Sequence, residues 1–374
     1  MKKLLLLLVL LVLALTSCAH REDSVYQAHV MANYAGSSSN IFSTIAAALA
    51  AAPEAANAPY RIYVGPGDYY EKLVIDKPHI HLIGAGRDQT RIYFDAYAGL
   101  ERAPGVTWGT RDSATLTVRA ADVHLSRLTL ENSFDFLAND ALVNDDPQKI
   151  RHSQAVALTI DKGSDKFFAQ DIALLGYQDT LFVDAGRSWF DRSLIAGNVD
   201  FIFGAGNALF TDSEIRTRVR GSDQTPVGYV TAPSTQITQE YGFTFLRCQL
   251  TREAGVPDNS TYLGRPWHPT TQFADGRYAD PNAIGKAVFI ESMLDAHIAH
   301  AGWHSMGGTA KDGSRMEFMP EDARFFEAAS YGPGAVHNAS RRQVSAQDQP
   351  EYAPNKLMSD WLFPVDQGAT GQNH

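Results

Sequence analysis

A weak repeat in the middle of the chain constrains the fold more than any other feature of the sequence. Each copy begins with an aromatic residue, has a small or acidic residue three positions later, and continues with an aliphatic residue; the copies begin at Phe168, Phe190, Phe210 and Phe245. The first three are 22 and 20 residues apart, and the fourth follows after 35, which leaves room for an insertion. A period of this size is typical of a solenoid, in which each turn covers the apolar face of the next.

Short β-rich runs, separated by Gly, Asn and Asp, recur through the first half of the chain. They are Tyr60–Val64, His79–Ile83, Arg91–Phe94, Thr115–Val118, Val123–Leu130, Ala155–Ile160 and Thr180–Val183. A doubly wound α/β sheet, the main alternative, needs a helix between successive parallel strands, and the sequence offers none. We therefore predict an all-β fold, a right-handed parallel β-helix formed as a single-stranded solenoid with strands about 4.8 Å apart.

One segment has helical character, and two later segments favour turns. Ile41–Ala52 is rich in alanine, follows serines and an asparagine that can cap a helix, and stops at Pro53. We expect an N-terminal helix that caps the solenoid. Thr251–Asn282 and Met306–Pro320 are expected to form long loops around a substrate cleft.

The N-terminus has the pattern of an export signal. A basic start precedes the apolar run Leu4–Leu15, which is too short to cross a bilayer. The string Leu15-Thr16-Ser17-Cys18 resembles a bacterial lipobox, and Ala19, where Asp would favour retention at the inner membrane, indicates an outer-membrane lipoprotein. The alternative is simple signal cleavage, with Cys18 incidental. The predicted divisions are a signal peptide over 1–17, lipidation at Cys18, a tether over 18–35 and one domain over 36–374.

Charge and cysteine content restrict the partners and cofactors. The formal net charge of −10 argues against nucleic acid, whose binding needs Lys and Arg on the phosphates. Cys248 is the only cysteine after Cys18, so no intramolecular disulfide is available, and its apolar surroundings predict a buried thiol. The histidines at 297, 300 and 304 lack a carboxylate cluster, so we expect neither a metal nor a cofactor. We also expect a monomer.

Polar residues among glycines and bulky apolar residues mark a candidate site. They lie in the peptides GYQDTLF (176–182), GNVDFIFG (197–204) and YLGRPW (262–267). Asp179 and Asp200 are 21 residues apart, and Gln154 and Gln178 are 24 apart. If the chain coils with a period of that size, these four side chains fall on one wall in adjacent turns. They provide acids and amides of the kind needed to attack an ester.

The same peptides, in the order SQAVAL (153–158), GYQDTLF, GNVDFIFG and YLGRPW, resemble the signature set of the pectin methylesterases, or pectinesterases. ENSFDFLAND (131–140) and YGPGA (331–335) also resemble segments of that family. The resemblance covers nearly all of the chain after the signal segment. It implies a right-handed parallel β-helix, no cofactor, and methyl-esterified pectin or oligogalacturonides as substrate.

The resemblance also implies roles for individual residues. Asp200 would be the nucleophile on the C6 methyl ester, and Asp179 would protonate the departing methanol and later accept a proton from water. The remaining assignments are Gln178 and Gln154 as oxyanion donors, Arg265 as the group that orients Asp200, and Trp267, Phe203, Phe182 and Met306 as substrate contacts. Physical reasoning agrees, because two adjacent carboxylates cannot both ionise cheaply and a guanidinium favours one of them as the anion.

Other interpretations of these residues stay open at this stage. Asp179 fits a turn that caps backbone amides, Arg265 fits a structural link, and the aromatic residues, with Trp303, fit a core. Paired acids on a β-helix also serve polygalacturonases, which cleave the glycosidic bond. A surface protein that binds sugar polymers without turnover, or an esterase acting on another ester or thioester, completes the alternatives.

Overall fold

The chain winds into coils that each contribute short strands to stacked sheets. The computed structural model describes residues 25–361, and within them neighbouring strands of the three large sheets are all parallel. Adjacent strands in a sheet come from successive coils, with no helix spanning the connections between them in the repeat region. This is the predicted all-β parallel β-helix, so the solenoid prediction is confirmed and the doubly wound alternative is excluded.

The three large sheets contain the following strands, which are numbered along the chain. Sheet A contains β1 (Ala28–Val30), β2 (Ile41–Phe42), β3 (Tyr60–Val64), β6 (Ile80–Gly84), β11 (His124–Ser126), β14 (Phe167–Gln170), β17 (Arg187–Asp191), β20 (Asn207–Thr211), β23 (Phe243–Leu246), β28 (Lys286–Ile290) and β32 (Arg324–Ala328). Sheet B contains β4 (Gly67–Tyr70), β7 (Thr90–Phe94), β12 (Thr129–Asn132), β15 (Ala173–Leu175), β18 (Leu194–Gly197), β21 (Glu214–Thr217), β24 (Gln249–Arg252) and β29 (Met293–Leu294). Sheet C contains β5 (Leu73–Ile75), β10 (Leu116–Val118), β13 (Leu158–Ile160), β16 (Leu181–Val183), β19 (Val199–Gly204), β22 (Gly228–Pro233) and β25 (Thr261–Gly264).

Three antiparallel hairpins and a few short helices complete the described part of the chain. The hairpins are β8 (Glu101–Ala103) with β9 (Val106–Thr107), β26 (Thr270–Phe273) with β27 (Gly276–Ala279), and β30 (Met306–Thr309) with β31 (Arg315–Phe318). The helices are α1 (Ile45–Ala50), α2 (Gly109–Asp112), α3 (Phe136–Ala141) and α4 (Pro354–Leu357), with 3₁₀ turns at Pro320–Asp322 and Gln349–Tyr352. Within residues 25–361, no helix has the length and apolarity needed to cross a membrane.

A stack of phenylalanines fills the interior behind sheet A. Phe190, Phe210, Phe245 and Phe289 are in register on consecutive strands, and their rings stack with centroid separations of 4.9, 4.5 and 4.3 Å. All four are fully buried, and burying each contributes about 1.5–3 kcal/mol relative to exposure. The coil spacing and ring stacking distance coincide, which explains why the repeat places an aromatic residue at this position.

The small residue three positions after each aromatic forms a ladder at the corner between sheets A and B. The Ser193 hydroxyl accepts from the Ile172 amide, the Ser213 hydroxyl accepts from the Ser193 amide, and the Ser292 hydroxyl accepts from the Cys248 amide. Cys248 occupies the same kind of position, is 1% exposed, and burial raises its thiol pKa to about 12. The prediction of a buried thiol is confirmed.

The predicted repeat is wrong by one residue at its first aromatic, Phe168. Phe168 pairs with Trp189, and the residue opposite Phe190 is Ala169. Phe168 therefore points to the outer face of sheet A, where it belongs to a second apolar cluster with Leu209. Successive side chains on a strand point to opposite faces, so a shift of one residue moves the ring from the interior to the outside.

Two boundaries of the N-terminal region differ from the predictions. The helix begins at Ile45, not Ile41, because Thr44 is the N-cap and its hydroxyl accepts from the Ala47 amide, while Ile41–Phe42 pairs with β1. A tether over 18–35 is also wrong in its second part, since Ala28–Val30 is a strand in register with Ile62–Val64. Paired backbone groups and buried side chains make this segment part of the domain. The capping role of α1 stays a prediction.

The remaining N-terminal predictions lie outside the described residues. These are the signal peptide over 1–17, lipidation at Cys18 and the start of the tether. Residues 362–374 of the predicted domain also lie outside that range. The segments expected to be long loops contain more order than predicted, because Thr251–Asn282 includes β25 and the β26–β27 hairpin and Met306–Pro320 includes the β30–β31 hairpin.

Candidate active site

The two aspartates occupy equivalent positions in adjacent coils of sheet C. Leu181 of β16 pairs with Ile202 of β19, and each aspartate lies two residues before its member of that pair. The Asp179 amide donates to the Val199 carbonyl at 3.0 Å, which joins the two turns directly. The 21-residue spacing therefore places both carboxyl groups on one wall, as predicted.

Local backbone geometry turns both acids out of the stack. Asp179 and Asp200 have φ angles of 65° and 49°, in the left-handed region that aspartate tolerates better than most residues. The register between β19 and β22 also shifts between Val199 and Ile202, as in a β-bulge. As a result Phe201 and Ile202 are both in the core.

Arg265 binds Asp200 through both of its carboxylate oxygens. Nε donates to Oδ1 at 2.8 Å and an Nη donates to Oδ2 at 2.5 Å, in a bidentate arrangement that fixes the plane of the carboxylate. On Arg265, the guanidinium carbon lies 3.9 Å from the ring centroid of Tyr229. The guanidinium is thus held between an aromatic ring and the acid, and Asp200 is the anion of the pair.

Asp179 has the opposite electrostatic environment. It is 8% exposed, and no cationic side chain among residues 25–361 donates a hydrogen bond to it. Burial raises its pKa well above the usual range, the negative charge of Asp200 raises it further, and Arg265 only partly opposes this. The side chain is therefore a neutral acid next to a carboxylate that Arg265 binds through both oxygens.

All nine residues predicted for catalysis and substrate contact line one cleft of about 450 Å³. They are Gln154, Gln178, Asp179, Asp200, Arg265, Phe182, Phe203, Trp267 and Met306. The two glutamines precede β13 and β16 in neighbouring coils, and the Ala155 amide donates to the Gln178 carbonyl. Gln154 Oε1 has no hydrogen-bond partner within the described residues. Their presence in the cleft is established here, whereas their roles in catalysis remain predictions.

One end of the cleft has an aromatic wall. Phe182 and Phe203 are in register on β16 and β19, and their rings stack with centroids 4.3 Å apart. Trp267 meets both rings edge-on, at 6.2 and 5.7 Å. Met306 enters from the first residue of the β30–β31 hairpin. The wall is apolar and directly adjoins the two acids.

Sequence reasoning missed four residues at or behind the cleft. Thr110, Arg111 and Ala232 line it, and Tyr229 supports Arg265 from one coil away. Arg111 lies over the Phe182 ring at 4.7 Å and pairs with Asp184 at 2.9 Å and with Asp161. No motif surrounds Arg111 or Thr110 in the sequence. Ala232 reaches the cleft through its register with Phe203, which the sequence does not display.

Two residues whose roles the sequence left open, Trp303 and His297, are buried in the structure. Trp303 is 4% exposed and stacks on Phe325 at 4.4 Å, so it belongs to the core. His297 is fully buried, with its Nε2 3.1 Å from the Thr217 hydroxyl, and burial lowers its pKa to about 4. Across residues 25–361, no three His, Cys, Asp or Glu side chains are grouped to hold a metal ion.

Comparison with known proteins identifies the family. The pectinesterase family model matches residues 30–342. Pectinesterase A of Dickeya dadantii is 42% identical over 352 residues, covering 93% of this chain and 95% of the relative. The solved pectin methylesterase from Erwinia chrysanthemi has a TM-score of 0.86 at 44% identity, covering 90% and 98% of the two chains. That from Yersinia enterocolitica has a TM-score of 0.82 at 45% identity, covering 86% and 100%. This chain therefore belongs to the pectinesterase family and is a carboxylic ester hydrolase.

Proposed function

We propose that the chain hydrolyses the C6 methyl esters of galacturonosyl units in homogalacturonan, releasing methanol through an aspartyl acyl-enzyme intermediate. The observation that carries this proposal is the bidentate bond from Arg265 to Asp200 beside a neutral Asp179 in one cleft. A related pectin methylesterase has been solved in complex with a hexasaccharide, which supports an oligogalacturonide as the ligand of this cleft.

In the first step, a carboxylate oxygen of Asp200 attacks the ester carbonyl carbon, and the carbonyl electron pair moves onto oxygen. Gln178, assisted by Gln154, donates amide hydrogens to the resulting oxyanion. Losing one such donor typically costs roughly 3 to 4 kcal/mol in the barrier. Arg265 keeps Asp200 ionised and oriented for the attack.

The tetrahedral intermediate then releases methanol. The bond from carbon to the methoxy oxygen breaks, and Asp179 transfers its proton to that oxygen, which leaves an acyl group on Asp200 and an ionised Asp179. Water attacks the acyl carbon while Asp179 accepts a proton from it. Breaking the bond to Asp200 regenerates its carboxylate, and the galacturonic acid product loses its proton to solvent.

The aromatic wall supplies an apolar environment beside the reacting ester. Phe182, Phe203 and Trp267 exclude water from that side, and Trp267 presents a ring for a sugar to stack on. Met306, on its hairpin, adds a flexible apolar contact. An esterified unit suits this environment better than a charged carboxylate, which would lose its hydration there.

The proposal is tested by measuring methanol from methylated pectin, with reducing ends counted in parallel. We expect methanol without new reducing ends from the wild type, and no methanol from Asp200→Ala. New reducing ends in proportion to turnover would instead indicate glycosidic cleavage. No methanol from wild type between pH 5 and 9 would contradict the proposal.

We also propose that the protein is an outer-membrane lipoprotein, anchored through Cys18, and that it acts as a monomer. The lipobox-like sequence and Ala19 support the address. Fractionation of cells expressing wild type and Cys18→Ser tests the anchor: the wild type should be found in the outer membrane and the variant should not. Equal membrane association of both would contradict it. Sedimentation of the detergent-solubilised full chain tests the monomer.

A further inference from the structure

Arg218 is a half-buried arginine whose hydrogen bonds reach three other coils of the solenoid. It follows β21 directly, and its Nη1 donates to the Gly176 carbonyl, two coils away, at 3.0 Å. Its backbone amide donates to the Gly197 carbonyl of the coil between them at 2.7 Å. Its Nε donates to a carboxylate oxygen of Glu253, on the following coil, at 3.0 Å. The guanidinium is therefore held by an acid on one side and by a carbonyl group on the other.

The same guanidinium covers the aromatic ring of the residue before Gln178. Its carbon lies 3.9 Å from the ring centroid of Tyr177, which is the distance of a cation–π contact. The other face of the Tyr177 ring stacks on Phe136, with centroids 5.3 Å apart and an angle of 11° between the planes. Phe136 is buried and belongs to an apolar cluster against which Tyr177 packs. The Tyr177 ring is thus fixed between a cation and a buried aromatic residue.

These contacts act on the segment that presents Gln178 to the cleft. The carbonyl groups of residues 176, 177 and 178 each accept a hydrogen bond. The donors to the second and third are backbone amides of neighbouring coils, whereas the donor to the first is the Arg218 side chain. Within the described part of the chain, Gln178 lines the cleft and Arg218 and Tyr177 do not. Arg218 therefore influences the cleft through the backbone that leads to Gln178.

A second arginine on the same strand shows that an ion pair alone does not account for this arrangement. Arg216 binds Glu214 through two nitrogens at 2.9 and 3.0 Å. Among the described residues, Arg216 makes neither a cation–π contact nor a hydrogen bond to a carbonyl group. The side chains of Arg218 and Glu253 are 21% and 31% exposed, and pairs with such exposure contribute little to stability. The contacts with Gly176 and Tyr177 are what distinguish Arg218.

We propose that Arg218 is a positioning residue, which fixes the Gln178 amide in the cleft by holding the Gly176 carbonyl and the Tyr177 ring. The inference rests on the proposed function, in which Gln178 donates to the oxyanion. Such a donor stabilises the transition state fully only when it is already aimed at the position that the oxyanion takes. Without Arg218 the donor has to be reoriented during the reaction, which lowers kcat and leaves substrate binding nearly unchanged.

The first test is a double-mutant cycle on methanol release from methylated pectin. We expect Arg218→Met to lower kcat about tenfold with little change in KM. In the Gln178→Ala background the same change should lower kcat by no more than about twofold, because the donor that Arg218 positions is already absent. Arg216→Met, which removes an arginine from the same strand, is the matched control and should keep the kcat of wild type. A tenfold loss in both backgrounds, or no loss in either, would overturn the proposal.

The Tyr177 ring offers a second variant if Arg218→Met folds poorly. Tyr177→Leu removes the surface on which the guanidinium stacks, and we expect it to lower kcat with the same dependence on Gln178. Tyr177→Phe keeps the ring and should retain most of kcat. Equal losses in the leucine and phenylalanine variants would overturn the role of the stacked ring.

The second test is independent of ester hydrolysis. Crystal structures of the full chain are compared for wild type and Arg218→Met at the same pH. We expect the Gln178 side chain of the variant to be displaced or to adopt more than one conformer, while Asp200 and Arg265 keep their positions. An unchanged Gln178 would overturn the proposal. If the wild type released no methanol, the proposed function would fail, while the two structures would still decide whether Arg218 holds Gln178.

Discussion

Two arginine–carboxylate pairs in this molecule have nearly the same geometry and different surroundings. Arg265 binds Asp200 at 2.8 and 2.5 Å in the cleft, and Arg341 binds Glu327 at 2.7 and 2.6 Å near the C-terminal coils. The side chains of the second pair are 0% and 3% exposed, against 21% and 10% for the first. Bidentate geometry therefore does not by itself mark an active site.

The differences lie in the groups next to each pair. Arg341 also donates a hydrogen bond to the Gly334 carbonyl at 2.7 Å, which links the C-terminal segment to the solenoid. Arg265 instead faces the Tyr229 ring, and its acid has the neutral Asp179 as a neighbour at an open cleft. A second acid with a raised pKa, together with access for a ligand, distinguishes the pair proposed for catalysis from the structural one.

The largest expected effect is the loss of the nucleophile. Asp200→Ala should lower kcat by about 10⁴-fold or more, because the acyl-enzyme route is removed while binding and oxyanion contacts remain. Methanol release checks this, and the free energy of unfolding should fall less than in Glu327→Ala, because the Arg265 pair is the more exposed one. Activity within tenfold of wild type would mean that the two pairs do not differ in function.

Replacing the acid partner should give the next largest effect and a distinctive pH response. Asp179→Asn should lower kcat by about 10²- to 10⁴-fold, since a neutral amide cannot transfer the proton. The raised folded pKa of Asp179 means that the folded wild type loses stability as pH rises from the unfolded value, near 3.9, through the folded one.

Thermal unfolding across that pH range provides the check. Asp179→Asn should be more stable than wild type at neutral pH, and its advantage should shrink toward zero as the pH falls below the unfolded pKa. A stability difference that does not change with pH would contradict a raised pKa at Asp179.

Breaking the structural pair should affect folding instead of chemistry. Glu327→Ala leaves Arg341 buried without its partner, and we expect the free energy of unfolding to fall by about 3 to 5 kcal/mol. Denaturant titration measures the loss, and kcat of the remaining folded protein should be unchanged. A selective loss of kcat would show that Glu327 also serves the cleft.

The smallest effect concerns the ring behind Arg265. Tyr229→Leu should lower kcat about tenfold with little change in KM, because the guanidinium can then turn from Asp200 toward Asp179. Stabilising an ionised Asp179 would also move the alkaline limit of activity to lower pH. Tyr229→Phe, which keeps the ring, is the control, and an unshifted pH profile in the leucine variant would contradict a positioning role.

Regular spacing made much of this architecture predictable. The coil repeat indicated parallel strands without helices, and the 21- and 24-residue intervals brought the aspartates and glutamines to one wall. The predictions were wrong where the outcome depends on the position of a single residue. Phe168 and Ala169 differ in register by one position, and the ends of α1 depend on which of several polar residues serves as the cap.

The cleft itself was predictable only in part, for a similar reason. The predicted residues inside the family-like peptides all reached it, whereas Thr110 and Arg111 lie outside those peptides and have no local pattern. Their positions depend on how coils stack. Neighbours in a solenoid are set by strand register between turns of unequal length, and a sequence read along one dimension does not display that register.

The sequence by itself determined the coil period, the aromatic core and the inventory of acids, amides and guanidinium. Only the tertiary structure decided which acid is neutral, because the pKa of Asp179 depends on burial and on the charge of Asp200 in the next coil. It also decided which arginine–carboxylate pair lies in the cleft beside a second acid, since Asp200 and Glu327 differ in exposure and neighbours, not in the chemistry of their own side chains.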